Sequence, residues 1–131
     1  MRVDRREIAA VFAGGVIGAL ARAGLEQALP AEPGSWPWAT FAVNVAGAAL
    51  LGWAVTRLQE RLPLSAYRRP FIGTGLCGAL TTFSTFQLEL LGMLDGGDRG
   101  LAVGYATASL CAGFAAVHLA STLTRRARVL P

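Results

Sequence analysis

Apolar residues along the chain gather into four windows separated by short polar stretches, roughly Ile8–Leu29, Trp36–Leu58, Phe71–Leu94 and Leu101–Leu123. Each is long enough to carry a helix across about 30 Å of hydrocarbon at about 1.5 Å per residue. The pattern predicts an all-α integral membrane fold with four transmembrane helices, a single four-span membrane domain over residues 1–131. The connections are too short to hold a soluble domain. The third window departs from the others. Between Gly73 and Glu89 it reads GTGLCGALTTFSTFQLE, with Gly73, Gly75 and Gly78 ahead of Thr81, Thr82, Ser84 and Thr85. Unpaired backbone and hydroxyl groups are costly in lipid. Polar groups at this density predict a broken third helix with something polar lodged against it.

Polar and small positions in the other windows fall on stripes. Gly14-x-x-x-Gly18 has the spacing that lets two helix backbones approach closely in lipid. Arg22 and Glu26 are four apart, as an i,i+4 ion pair or as a cation at the mouth of a polar passage. Trp36 and Trp38 follow a Pro/Gly turn and suit the membrane interface. Thr40 and Asn44 share one face of the second window, where an Asn serves as interhelical glue or presents an amide donor to an anion. Tyr105, Ser109 and Gly113 form a stripe on the fourth, with His118 beyond it. Single serines in spans usually bond back to their own helix, and a lone His near a basic end usually packs.

Composition agrees with the windows. The chain is 53% hydrophobic and 15% charged, against about a quarter charged in soluble domains. A net charge of +4 raises the question of a nucleic-acid partner, but the distribution excludes one. Every basic residue is Arg, and they collect at span ends without interleaved aromatics. Arg2, Arg5, Arg6, Arg57, Arg61, Arg68, Arg69, Arg125, Arg126 and Arg128 fall on one side of a four-span chain, against Arg99 on the other. By the positive-inside rule both termini are cytoplasmic. An Arg-rich start, an apolar run and ALPA loosely match a cleaved signal, but Arg22 and Glu26 stand where a cleavage region is small and uncharged.

Enzyme chemistry finds no support. Gly73, Gly75 and Gly78 spell GxGxxG, but a dinucleotide site needs a preceding strand and a solvent-facing helix start. There is no lysine, no Ser/His/Asp set and no paired carboxylate signature. Cys77 and Cys111 lack CxxC or Cys/His company and read as small buried apolar residues.

TTFSTF, Thr81–Phe86, places Phe83 and Phe86 on one helical face among hydroxyls. Phenylalanines at this spacing are usually core. After a glycine-rich run that can break the helix, they gain a second use. Freed carbonyls can hold a cation, and phenyl edges, which carry partial positive charge, can stabilise a dehydrated anion.

Three segments, GGVIGALAR at Gly14–Arg22, WATFAVNVAG at Trp38–Gly47 and GLCGALTTFSTF at Gly75–Phe86, resemble the Fluc (CrcB) fluoride channels, span for span over nearly the whole chain. The resemblance implies an antiparallel dimer of four-span subunits, with two pores at the interface and a structural, non-transported sodium ion at its centre. It implies Asn44 as the pore amide, Phe83 and Phe86 as ring edges facing fluoride, and Tyr105 and Ser109 as a polar track joined by the Thr82 hydroxyl. Arg22 would be a vestibule cation, Gly78 and Thr81 would give main-chain carbonyls to Na+, and Glu89 matches an acidic residue after the motif. Gly113 stands where relatives often carry a further Ser, and Ala79 where a second glycine is common. Homodimeric members keep basic residues nearly balanced across the membrane. The strong arginine bias here therefore predicts fixed insertion, and the partner is either a second copy of this chain or an oppositely oriented homologous subunit.

The function implied is passive fluoride export across a prokaryotic plasma membrane, lowering fluoride toxicity. Two rivals are a proton-coupled exporter of small cations and a membrane partner that transports nothing. The first needs a carboxylate deep in a span, and Glu26 and Glu89 lie near the ends of theirs.

Overall fold

The computed structural model describes residues 4–60 and 67–127. Arg2, Arg61 and Arg128 of the charge pattern lie outside the described residues. All regular elements among those residues are helical. Helix α1 runs Arg5–Ala28 and α2 Trp38–Glu60; a π-helical segment, Pro70–Cys77, continues into the short α3, Gly78–Leu80; α4 is Phe83–Asp95 and α5 Arg99–Arg126. α1, α2 and α5 are each long and apolar enough to cross a membrane. The third apolar window is not a fourth such helix, because its winding stops at two extended residues, Thr81 (φ −81°, ψ 151°) and Thr82 (φ −142°, ψ 122°).

Helix ends follow local chemistry. Asp4 caps α1, its carboxylate accepting from the Arg6 amide at 2.9 Å. Pro70 opens the π-helical segment, where its missing N–H is not needed. Gly97, at φ 85°, makes the turn from α4 into α5.

Small residues set the packing. Gly14 and Gly18 are buried, and a Cβ on either would collide with a carbonyl oxygen of the π-helical segment, Phe71 O or Leu76 O. Gly75 reciprocates, seated on the backbone of Val11–Gly15. The Gly14-x-x-x-Gly18 stripe is thus one half of a two-sided glycine contact between α1 and the π-helical segment. Gly73 and Gly78 have open space where a Cβ would go, so that contact uses only the middle glycine of the GxGxxG run. Residue numbers rise together along this contact, so the two elements run parallel. On the other side α2 packs on α5, where Gly52 leaves room for the Val117 backbone and accepts from Ser121 Oγ at 3.3 Å.

Candidate functional site

The site grows from the two threonines that leave the helix. An extended pair inside an apolar span strands backbone groups that a helix would bond. Asn44, on α2, takes both of those on Thr82: its Oδ1 accepts from the Thr82 amide at 2.8 Å, and its Nδ2 donates to the Thr82 carbonyl at 3.0 Å. One helical turn on, Gly47 makes room for the Thr81 methyl, which a Cβ at that position would strike. Asn44 and Gly47 of WATFAVNVAG therefore serve the same break.

Each extended threonine also caps a helix. Thr81 closes α3, its amide and hydroxyl both donating to the Cys77 carbonyl, at 3.1 and 2.9 Å. Thr82 opens α4, with Oγ1 accepting from the Thr85 amide at 3.2 Å and donating to Thr85 Oγ1 at 2.9 Å. These bonds have a consequence for two carbonyls. In an unbroken helix the Gly78 oxygen would accept from the Thr82 amide, and the Thr81 oxygen from the Thr85 amide. Both amides are turned elsewhere, to Asn44 and to the Thr82 hydroxyl. A cleft of about 440 Å³ lies against the break, its lining including Asn44, Gly47, Gly78, Thr81, Thr82 and Phe83.

From the start of α4 a file of rings leads away. Phe83 and Phe86 stack with centroids 6.1 Å apart, Phe86 lies 5.1 Å from Tyr105, and Tyr105 meets the edge of Trp36 at 5.3 Å. Phe83 is 70% exposed on this subunit, whereas Tyr105 is fully buried. Beside the file, Glu89 accepts from Tyr105 Oη at 2.7 Å and from Thr40 Oγ1 at 2.6 Å.

The residues singled out from sequence are distributed as follows. Asn44, Thr82, Thr81, Gly78 and Phe83 meet at the break, and Phe86 and Tyr105 continue from it. Ser109 is one turn from Tyr105 on α5, and its buried Oγ has no partner among the described residues. It does not bond back to its own helix as Thr56 and Thr124 do. Arg22 stands one turn beyond Gly18, which seats against Leu76 and Leu80, so it comes level with the extended threonines. It pairs with Glu26 at 3.6 Å, too long for a hydrogen bond, and its Nε is unpartnered among the described residues. His118 stacks on Phe114.

The Tyr105 and Thr82 hydroxyls, which the resemblance places on a polar track, each give their one O–H hydrogen to a neighbour within the subunit, Glu89 and Thr85 Oγ1. A buried hydroxyl takes the nearest acceptor. Asn44 keeps one amide hydrogen beyond the bond to Thr82. Cys111, read as buried, is exposed on the subunit, while Cys77 is buried. Two further residues join the site: Thr40, which the sequence places only on a face with Asn44, and Trp36, which the sequence marks only as an interfacial indole. An alternation of Thr40 with Glu89 carries no sequence signal, since the partners are 49 residues apart.

Comparison with known proteins gives a family model described as CrcB-like protein, Camphor Resistance (CrcB), matching residues 9–121. A protein of Mycobacterium bovis named fluoride-specific ion channel FluC 1 is 59% identical over 126 residues, 96% of each chain. FluC 1 of Mycolicibacterium paratuberculosis is 60% identical over the same length. FluC 2 of Nocardia farcinica is 38% identical over 123 residues, 94% of this chain and 88% of its own.

Proposed function

The chain belongs to the CrcB-like family, and from that membership we propose that it is a passive, fluoride-selective channel of a bacterial plasma membrane. It is a multi-pass membrane protein. Its relatives carry the names of ion channels, and it is not an enzyme. The observation that carries the reading is the identity of 59% over 96% of a protein named a fluoride-specific ion channel.

Fluoride that enters as neutral hydrogen fluoride ionises inside and is trapped as the anion. A negative-inside potential then favours exit by about 2.3 kcal/mol per charge per 100 mV, so no coupled energy source is needed. The path follows the break and the ring file. Asn44 keeps a free amide hydrogen there, Phe83 and Phe86 offer ring edges, and Ser109 offers an unpartnered hydroxyl. Arg22, level with the break, raises the local anion concentration from the vestibule. Tyr105 acts by orienting Glu89 and walling the track, since its own hydrogen is spent.

The Gly78 and Thr81 carbonyls suit a structural Na+. They are hard oxygen donors whose helical partners are diverted, and they lie where the backbone is held open by Asn44. Two carbonyls are a fraction of a hard cation's shell, which favours a second subunit supplying the rest. The ion would neutralise these oxygens and fix two breaks against each other, without being transported. Subunits pair antiparallel, and the arginine bias favours an oppositely inserted homologue as partner.

Purified protein in liposomes, with a fluoride electrode outside, tests the reading. Uncoupled fluoride efflux supports it; proton-linked cation flux, or no flux, overturns it. Reporter fusions at the C-terminus test orientation separately: a cytoplasmic signal alone supports fixed insertion, and equal signals on both sides refute it.

A further inference from the structure

The ring file does not end at Tyr105. Trp36 precedes α2 and sits in the angle between Tyr105, which it meets edge-on at 5.3 Å and 81°, and Phe41, met at 5.6 Å and 72°. Its Nε1 is buried and has no acceptor among the described residues. An indole nitrogen can only donate, and a buried donor left unmade is costly, so such a group calls for a ligand. Ser109 Oγ, another buried polar atom without a partner among the described residues, lies one turn along α5 from Tyr105. Two unpartnered polar groups thus flank a tyrosine whose own hydrogen is committed to Glu89.

Position gives the order. Tyr105 is six residues inside the Arg99 end of α5, about 9 Å along the helix. Trp36 lies toward that same end, and its neighbours Ser35 and Pro37 line an open cleft of about 500 Å³ shared with Glu89, Gly92 and Asp98. We propose that the Trp36 indole N–H is a further fluoride donor, the outermost on the path, taking the anion between the Tyr105 level and this cleft. The proposal rests on the fluoride-channel reading above. A single neutral donor suits a brief stop, favourable enough to shed water and weak enough to release.

Trp36→Phe keeps an aromatic ring and removes the N–H. In proteoliposomes the fluoride concentration for half-maximal efflux should rise about threefold to tenfold, the loss of one neutral hydrogen bond. Phe41→Leu, which removes a ring from Trp36 but leaves its N–H, should not shift it. An unshifted Trp36→Phe overturns the proposal, and so does an equal shift in both variants, which would assign the effect to packing. If Trp36→Phe does not assemble, a variant with Trp38→Phe and Trp53→Phe leaves Trp36 as sole tryptophan, excited selectively over tyrosine. Its emission should respond to fluoride and not to sulfate, and an unchanged emission overturns the proposal. Absence of fluoride flux in the unmutated protein would instead strike the channel reading itself.

Discussion

Replacing Asn44 by Ala removes both bonds that hold the extended Thr82, at 2.8 and 3.0 Å, and leaves an amide and a carbonyl without protein partners. Thr82 is only 7% exposed, so water inside the subunit does not readily replace them. An interhelical hydrogen bond in lipid contributes about 0.6–2 kcal/mol, so the pair amounts to about 1–4 kcal/mol. For a chain of this size a loss of that order lowers a thermal midpoint by roughly 5–15 °C. Function should suffer more than stability, because the same amide carries the hydrogen left over for the ion. The assay is paired: the midpoint of detergent-solubilised protein by size-exclusion fluorescence, and fluoride efflux from proteoliposomes. We expect a lowered midpoint and flux lost. Asn44→Asp is the sharper control. Its carboxylate still accepts from the Thr82 amide but cannot donate to the carbonyl, and it sets a negative charge on an anion path. It should keep part of the stability and none of the flux. A normal midpoint together with normal flux in Asn44→Ala would refute the view that this side chain holds the break.

The remaining expectations follow from single contacts. Phe83→Ile and Phe86→Ile should each abolish fluoride flux while the protein still elutes at the same volume as the unmutated protein; near-normal flux in either removes the ring-edge mechanism. Gly18→Ala places a methyl against the Leu76 carbonyl and within 2.9 Å of the Leu80 amide, and should destabilise by about 1–3 kcal/mol. Gly15→Ala, which meets nothing within 4 Å, should leave the midpoint unchanged. Exchanging Na+ for N-methyl-D-glucamine should slowly extinguish flux, and restoring Na+ should recover it; flux that persists after exhaustive exchange refutes a structural sodium.

The helices were legible where hydrophobic length decides them. The windows Ile8–Leu29 and Leu101–Leu123 coincide with α1 and α5 to within a few residues, because an apolar run of that length has few other solutions. The exact place where the third span changes course was not legible. Glycines predicted the disturbance around Gly73–Gly78, but that stretch stays wound, and the chain turns extended at Thr81–Thr82. Glycine permits a loose π winding and close approach to α1, whereas threonines with capping hydroxyls supply the bonds that let a helix stop and restart. Asn44 was narrowed to two uses, glue or donor, and its geometry accommodates both, because an amide has two hydrogens. What escaped altogether depends on partners distant in sequence. Glu89 with Thr40, and Trp36 with Tyr105, meet only after α2, α4 and α5 have packed.

The most direct measurement is the electrical character and selectivity of the flux. Proteoliposomes loaded with potassium fluoride or potassium chloride are diluted into potassium-free buffer with and without valinomycin. The account predicts rapid fluoride release that requires valinomycin to carry the compensating charge, with chloride retained. Fluoride release that ignores valinomycin, or chloride release at a comparable rate, would contradict it.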